Sequence, residues 1–283
     1  MTDLLNDKMP PLAYLNDDFL KSSEARALRI LSEYLEPRAR LRRFNLRDTI
    51  VFFGSARSVA PDIAEARLAE LQKQNDDSPE YQDRIAKAEQ LVHLSRYYQD
   101  AVDLARRITE WSKSLTGQHH FIICSGGSGG MMEAANRGAS LARGKTIGLN
   151  IELPHEQDVN KYVSRELVFN FHYFFMRKFW FVYPAKALIA FPGGFGTMDE
   201  LFEVLTLIQT KKPGKTMPVL LFGKTFWDEV INFDALVKWG VVSPQDLDIF
   251  FKTDSVDEAF EYVTGKLEKL YLSDKGLEEV KLT

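Results

Sequence analysis

Residues 191–200 read Phe-Pro-Gly-Gly-Phe-Gly-Thr-Met-Asp-Glu, and this stretch decides the fold. It follows a mostly apolar run at residues 185–190 and opens a run with helical periodicity at residues 201–210. Three glycines at a strand-to-helix junction let the backbone turn tightly and approach a ligand closely. The first N–H groups of the helix are then free and partly positive, which favours a phosphate. Asp199 and Glu200 follow in the first helical turn, so the stretch predicts a phosphate loop beside a carboxylate.

Apolar runs alternate with helix-period runs along most of the chain. Such alternation favours parallel strands joined by helical crossovers. It predicts an α/β fold, a Rossmann-like, doubly wound parallel sheet with helices on both faces. The predicted strands are residues 49–53, 121–124, 145–151, 185–191, 218–222 and 249–251; the predicted helices are residues 131–141, 171–183, 197–210, 226–239 and 256–270.

Three of the predicted strands end in glycine-bearing turns. Gly54 and Ser55 follow the first strand, residues 126–130 follow the second, and residues 193–196 follow the strand at 185–191. Ligands of open parallel sheets bind at the carboxyl ends of the strands. The three turns should therefore converge on one crevice.

The first 47 residues differ in pattern from the rest. Residues 1–47 are predicted to be a helical N-terminal extension. Its main helix spans residues 16–36, with Ser22 or Ser23 as a possible cap and Pro37 after its end.

The remaining residues, 48–283, are predicted to form one Rossmann-like nucleotide-binding catalytic domain. Residues 61–116 look like a charged helical hairpin inserted between the first two strands. The basic stretch at residues 38–47 carries five arginines. It is interpreted as a solvated or subunit-facing surface, with an anionic effector site as the alternative.

Composition excludes several classes of protein. The net charge of −4 argues against non-specific nucleic-acid binding, which needs a basic face. The one cysteine, Cys124, cannot form an internal disulfide, fits a reducing compartment, and is interpreted as a small buried hydrophobe. Neither a signal peptide nor a membrane-spanning run is evident in the sequence. We therefore expect a cytoplasmic protein without a membrane partner.

The helix after Gly196 is apolar over most of its circumference, which predicts a buried helix. Its one polar stripe is formed by Glu200, Glu203 and Thr206, each three residues from the last. A buried carboxylate costs several kcal/mol unless it is paired or needed, so this stripe favours a functional site. Glu203 alone could instead be a structural hydrogen-bonding residue.

Arg177 and Lys178 interrupt an aromatic segment that leads into the strand before Gly193. One interpretation is an apolar helix with a cationic edge that reaches water. The favoured one is that Arg177 enters the crevice and binds a carboxylate or phosphate, with an aromatic ring nearby for a base. Glu156, after the third strand, lies where a further crevice acid could sit.

Other nucleotide-binding patterns fit less well. Glu152 stands where a dehydrogenase would place its ribose-binding acid, but the glycines at residues 125–130 are not spaced Gly-x-Gly-x-x-Gly. The loop at residues 193–196 has no role in that scheme. The chain also lacks the Gly-x-x-x-x-Gly-Lys-Ser/Thr motif of nucleoside triphosphatases. Its histidines show no metal-ligand spacing, and no metal is expected.

Together these residues resemble the Lonely Guy family of nucleoside-monophosphate phosphoribohydrolases, which are often mislabelled lysine decarboxylases. The family signature Pro-Gly-Gly-x-Gly-Thr-x-x-Glu is matched by residues 192–200, and its Arg-Lys pair by Arg177 and Lys178. The resemblance covers about residues 48–223. The N-terminal extension and the 61–116 insertion suggest the longer bacterial branch. No lysine stands in the setting that a pyridoxal phosphate decarboxylase needs.

The resemblance implies Arg177 and Glu200 as the catalytic pair and requires no cofactor. It also implies a homo-oligomer built from dimers, in which a neighbouring subunit completes the site. The substrate-binding residues expected from the resemblance and from the loops are Gly54, Ser55, Gly126, Gly127, Glu156, Lys178, Gly193, Gly194, Phe195, Gly196, Thr197, Met198, Asp199, Glu203 and Thr206.

The expected reaction is hydrolysis of the N-glycosidic bond of a nucleoside 5′-monophosphate, of the AMP or cytokinin riboside monophosphate type. A non-catalytic nucleotide sensor or carrier using the same crevice is the alternative. An oligomeric scaffold would leave the acids of the helix unexplained. The helix dipole favours ionised Glu200 and a bound phosphate opposes it, so the direction of its pKa shift stays open.

Overall fold

The computed structural model describes residues 10–74, 76–116, 120–153, 158–212 and 216–273. Its centre is a sheet of seven strands in the order β4-β3-β2-β1-β5-β6-β7. Every neighbouring pair is parallel. The strands are β1 (Asp48–Phe53), β2 (Phe121–Ser125), β3 (Thr146–Ile151), β4 (Val168–Phe171), β5 (Ala185–Ala190), β6 (Val219–Phe222) and β7 (Phe250–Thr253). The predicted α/β fold is confirmed.

Helices cover both faces of this sheet. They are α1 (Asp17–Lys21), α2 (Arg26–Arg43), α3 (Pro61–Gln72), α4 (Pro79–Ser114), α5 (Met131–Leu141), α6 (Phe174–Val182), α7 (Phe195–Gln209), α8 (Lys224–Val230), α9 (Phe233–Lys238) and α10 (Val256–Leu267). Because successive side chains of a strand point to opposite faces, β1 serves two cores. Ile50 and Phe52 pack with α4, α5 and α10. Val51 and Phe53 pack with α6 and α7 on the other face.

The sheet changes winding direction at β1, which lies between β2 and β5. The turns after these three strands therefore meet at one edge, as predicted. The backbone ties them together. Ser55 N–H donates to the Pro192 carbonyl over 2.9 Å, and Met131 N–H donates to the Ser55 carbonyl over 3.0 Å.

The N-terminal helix differs from the prediction at both ends. Residues 16–36 form two helices, α1 and α2, and Pro37 lies buried inside α2 instead of ending it. A proline removes one intrahelical hydrogen bond, and tertiary packing offsets that loss. Leu41, which packs in the same core as α6, holds the last turns of α2 in place. Much of the basic stretch is consequently helical.

Local periodicity also misplaced several boundaries. Residue 171 belongs to the edge strand β4, which was not predicted, and the aromatic helix begins at Phe174. Phe169 and Phe171 both point into the core, as alternate residues of a strand do. This two-residue spacing, and not the helical period, gives the segment its strand conformation. The helix predicted at residues 226–239 is two helices, α8 and α9. Helix α7 begins at Phe195, two residues before the start predicted at residue 197.

Residues 61–116 form the two helices α3 and α4 within their described part. The second half of α4 is more than an insertion. Ala101, Leu104, Ala105 and Ile108 are fully buried in the core formed with β1 and β2. This half of α4 is therefore the crossover that connects the first two strands. No helix in the described part of the chain is both long and apolar enough to cross a bilayer.

Candidate functional site

The loop before α7 presents unpaired backbone N–H groups at the carboxyl edge of the sheet. Gly194 is the N-cap, and no side chain caps the helix. The first hydrogen bond into the helix comes from Met198 N–H to the Gly194 carbonyl, so the N–H groups of residues 195–197 have no intrahelical partner. This end of α7 can bind an anion.

The glycines of this loop occupy their positions for different physical reasons. A Cβ on Gly193 would lie 2.2 Å from Thr197 Oγ1, so the packing of Thr197 requires glycine there. A Cβ on Gly194 or Gly196 would meet nothing within 4 Å. These two positions leave open space beside the free N–H groups, as a close-fitting ligand would need.

Arg177 and Glu200 come together at the base of this crevice. Arg177 Nη1 lies 3.6 Å from Glu200 Oε1, and the two side chains are only 13% and 14% exposed. Arg177 Nε donates to the Leu149 carbonyl over 2.8 Å, which fixes the guanidinium against the end of β3. Arg177 therefore enters the crevice, as the favoured interpretation expected. It does not form a cationic edge that reaches water. Its ring neighbour Phe181, 5.0 Å away, is buried and cannot stack on a base.

Burial dominates the electrostatics of this pair. It raises the pKa of Glu200 from 4.5 to about 7, although the Arg177 charge acts in the opposite direction. Burial likewise lowers the pKa of Arg177, partly offset by Glu200. The distance between Arg177 Nη1 and Glu200 Oε1 is long for a direct ion pair. The attraction between the two charges is therefore too weak to offset the cost of their desolvation, which explains both shifts. Desolvation is the largest cause of the shift, so the direction of the Glu200 pKa shift that the sequence left open is upward.

Lys178 points to the other side of α7. Its Nζ lies 2.7 Å from Asp199 Oδ2 and 3.3 Å from Glu203 Oε2. Burial opposes its charge, but the hydrogen bond to Asp199 and the charge of Glu203 outweigh burial and raise the pKa of Lys178. A Schiff base requires a neutral amine, so this setting does not suit the lysine of a pyridoxal enzyme.

The predicted buried polar stripe on α7 is wrong except at Glu200. Glu203 is 36% exposed, and Thr206 is exposed with its hydroxyl donating to the Phe202 carbonyl. These residues line an open groove beside the crevice together with Lys178, Met198, Asp199, Phe202 and Leu207. Phe195, at the first position of α7, is 95% exposed. The helix covers the sheet with one face only, so its outer face lies open in the single chain.

The loops after β1 and β2 interlock below the crevice. Gly130 has a φ of +69°, and a Cβ there would lie 2.2 Å from the Ser55 carbonyl oxygen. Gly127 has a φ of +78° and lies against Gly148 of β3. A Cβ on Gly54 would lie 2.6 Å from Met131. Gly54, Ser55 and Gly127 therefore have structural reasons for their positions, in addition to the predicted contact with substrate.

A buried polar network that sequence reasoning missed fixes the second glycine loop. Asn160 Nδ2 lies 3.0 Å from the Gly127 carbonyl, 2.9 Å from the Ser128 carbonyl and 2.9 Å from Asn136 Oδ1. Ser125 Oγ donates to the same Asn136 oxygen over 2.8 Å. The fully buried Asn136 was a detectable signal in an otherwise apolar helix face. Asn160 gave no local signal of this role, because the three acceptors of its side-chain N–H groups are 24 or more residues away.

Helix α2 of the N-terminal extension supports the helix that carries Arg177. The Glu33 carboxylate accepts the backbone N–H groups of His172 and Tyr173, over 2.8 and 3.3 Å, at the start of α6. The Glu33 carbonyl accepts the Trp180 indole N–H over 2.9 Å. Glu33 of α2 thus binds the backbone at the start of α6 and also holds Trp180 near the end of that helix.

The remaining candidates lie away from this chemistry. Glu156 and His155 lie outside the described residues. Glu152 is exposed, with Oε2 3.2 Å from His172 Nδ1 at the surface. Cys124 is buried below the pair, and burial raises the pKa of its thiol far above the usual range, so it is the predicted buried hydrophobe. Among the described residues, no cluster of histidine, cysteine or acidic side chains could hold a metal ion.

Known proteins resemble this chain in the part that carries the site. A family model described as "Possible lysine decarboxylase" matches residues 132–263, which include Arg177 and Glu200. A rice protein (Oryza sativa subsp. japonica), probable cytokinin riboside 5′-monophosphate phosphoribohydrolase LOGL5, is 31% identical over 151 residues. That alignment covers 52% of this chain and 57% of the rice protein. The resemblance to the Lonely Guy family is thereby confirmed.

A second Lonely Guy protein, LOG3 of Arabidopsis thaliana, is 27% identical over 167 residues, covering 58% of this chain and 73% of LOG3. Its name is cytokinin riboside 5′-monophosphate phosphoribohydrolase. A solved structure, the X-ray structure of TM1055, superimposes over 77% of this chain and 99% of that one, with 19% identity and a TM-score of 0.47.

Proposed function

We propose that this protein hydrolyses the N-glycosidic bond of a nucleoside 5′-monophosphate, of the AMP or cytokinin riboside monophosphate type. The products would be the free base and ribose 5-phosphate. The observation that carries the proposal is the buried Glu200, paired with Arg177 and one helical turn from free N–H groups. The names of the Lonely Guy relatives support the same reaction.

The geometry suggests which protein groups would bind the phosphate and which would face the sugar. The 5′-phosphate would bind the N–H groups of residues 195–197, in the space left by Gly194 and Gly196. The sugar would then lie toward Glu200, with its anomeric carbon beside the carboxylate. Arg177, held by the Leu149 carbonyl, would orient Glu200 and the ribose hydroxyls.

Glu200 would act in its ionised form. Its carboxylate would stabilise positive charge on the sugar as the bond between the anomeric carbon and the base nitrogen breaks. It would also accept a proton from the water whose oxygen bonds to that carbon. A pKa near 7 suits this task, since a base works best when its pKa is close to the working pH. The departing base nitrogen takes up one proton from solvent, and Glu200 then releases the proton that it accepted, so the net reaction consumes one water molecule and no proton.

Lys178, Asp199 and Glu203 would contribute at the rim. Their ion pairs line the groove next to the crevice, within reach of a ribose or a base that extends from it. We propose that a nucleotide is the small-molecule partner and that a second copy of the chain covers the exposed Phe195 and Phe202. Mass measurement in solution tests the dimer independently of activity.

The test of the reaction is a product assay. The protein is incubated with AMP, GMP, CMP, UMP, IMP and a cytokinin riboside monophosphate, and free base and ribose 5-phosphate are quantified. Glu200→Gln should bind the nucleotide that is turned over yet lose about 10²–10⁴ in kcat. Glu229→Gln, an exposed change on α8, is the control and should retain full activity. Saturable binding without release of base would instead establish a sensor or carrier.

A further inference from the structure

A second cleft lies at the opposite edge of the sheet from the crevice. It is formed by the end of α2, the turn into β1 and the turn between α6 and β5, with a volume of about 380 Å³. That size is in the range of small-molecule sites. Its lining residues are Arg38, Leu41, Arg42, Asn45, Leu46, Arg47, Trp180, Tyr183 and Pro184.

The charge of this cleft is one-sided. Within the described ranges of the chain, three arginines and no acidic residue line it. Among the described residues, no carboxylate pairs with Arg42 or Arg47, whereas Arg40 of the same helix is paired with Glu36. The Arg38 guanidinium carbon lies 6.0 Å from the centroid of the Tyr34 ring. Unpaired guanidinium groups close together repel one another, and an anion between them removes that cost.

These arginines are not required to cap α2. Asn45 adopts a φ of +53°, and the chain closes the helix with its own backbone. Asn45 N–H donates to the Arg42 carbonyl over 3.0 Å, and Leu46 N–H donates to the Leu41 carbonyl over 2.9 Å. The guanidinium groups are therefore available to a ligand.

The opposite wall is aromatic and rigid. The Tyr183 ring is 60% exposed, but it stacks on Phe179 with centroids 5.1 Å apart and meets the Trp180 ring edge-on at 5.7 Å. Pro184 ties this wall to the sheet, since its carbonyl accepts the Thr49 N–H over 3.0 Å. A flat ring could stack on the exposed part of the Tyr183 side chain.

We infer that this cleft is a second ligand site, for an aromatic molecule that carries at least two negative charges, as a nucleoside diphosphate does. The ring packs on Tyr183, and the anionic groups bind Arg38, Arg42 and Arg47. The site is separate from the catalytic crevice, because it lies at the amino ends of β1 and β5 while the crevice lies at their carboxyl ends.

The two sites share helix α6. Trp180 of the cleft lies three residues after Arg177, on a helix of only nine residues. A ligand that shifts α6 would move the guanidinium beside Glu200. Any such coupling must be reciprocal, so a nucleotide in the crevice would change affinity at the cleft by the same factor. This coupling, unlike binding at the cleft, depends on the proposed function.

The experiment measures binding of ADP to the full chain by calorimetry, with inorganic pyrophosphate and phthalate as further probes. The double variant Arg42→Glu/Arg47→Glu should weaken one class of ADP site at least tenfold. Arg43→Glu is the matched control, because Arg43 is an exposed arginine on the same helix that does not line the cleft. Tyr183→Ala should weaken ADP and phthalate but leave pyrophosphate unchanged.

Several outcomes would overturn the inference. Equal ADP binding by the double variant and by Arg43→Glu would do so. Pyrophosphate binding as tightly as ADP would remove the role of the ring. A change in molecular mass of the double variant, with ADP binding intact, would assign the cleft to a subunit contact. Glu200→Gln reports on the crevice alone, so loss of the proposed reaction and loss of the cleft site give different results.

Discussion

A Cβ atom on Gly126 would lie 2.6 Å from Nη2 of Arg177, so the guanidinium occupies the space that a side chain at position 126 would need. The glycine loop after β2 thereby positions one of the two charged groups of the crevice. A loop assigned to ligand binding from its sequence alone has a second, steric role.

Gly126→Ala should displace Arg177 and lower kcat about 10–100-fold, since small misplacements of catalytic groups are costly. Gly129→Ala is the control, because the nearest atom to its Cβ would be 4.0 Å away. Steady-state kinetics of both variants provide the measurement. Equal rates for the two would show that the position of Arg177 does not matter.

The pH dependence of the rate should report the titration of Glu200. If the ionised carboxylate is required, kcat/KM rises about tenfold per pH unit below pH 7 and levels off above it. The pKa is raised because burial penalises the charged form. A rate that falls above pH 7 would instead make the protonated Glu200 the active form and reverse its role.

Stability should depend on pH through the same residue. The folded-state pKa of Glu200 lies above its unfolded value of 4.5, so the native state binds more protons between pH 4.5 and 7. Stability therefore falls as pH rises through this window, by up to about 3 kcal/mol. Urea unfolding at pH 5 and pH 8 should show this loss in the wild type and a smaller one in Glu200→Gln. Identical pH dependence in both would contradict the raised pKa.

Asn160→Ala should loosen the loop at residues 126–130. Removing its amide takes a hydrogen bond from the Ser128 carbonyl and from the Gly127 carbonyl, although the latter still accepts the residue 160 backbone N–H; the loss costs about 1–3 kcal/mol of stability. KM for the nucleotide should rise more than kcat falls, because this loop is proposed to bind the substrate and Glu200 lies on a different element. Asn170→Ala, at an exposed asparagine of β4, is the control. A loss of stability with unchanged KM would limit Asn160 to a structural role.

The fold could be predicted because its signals are local. Strand and helix periods, and the glycines that follow β1, β2 and β5, are properties of short segments. Their convergence followed from the general rule for parallel sheets. The errors arose where packing overrode local pattern: Pro37 inside α2, the pleated Phe169 and Phe171 of β4, and the exposed outer face of α7.

The sequence by itself determined which groups could do chemistry: an arginine, a lysine and a glutamate at a fixed spacing around a glycine loop. It did so because motif chemistry resides in residue type and order. Only the tertiary structure decided that Glu200 is buried with a pKa near 7, that Asn160 holds a distant loop, and that three arginines face Tyr183 across a cleft. Desolvation and through-space charge depend on what other elements bring alongside a residue, and no local stretch of the chain contains that information.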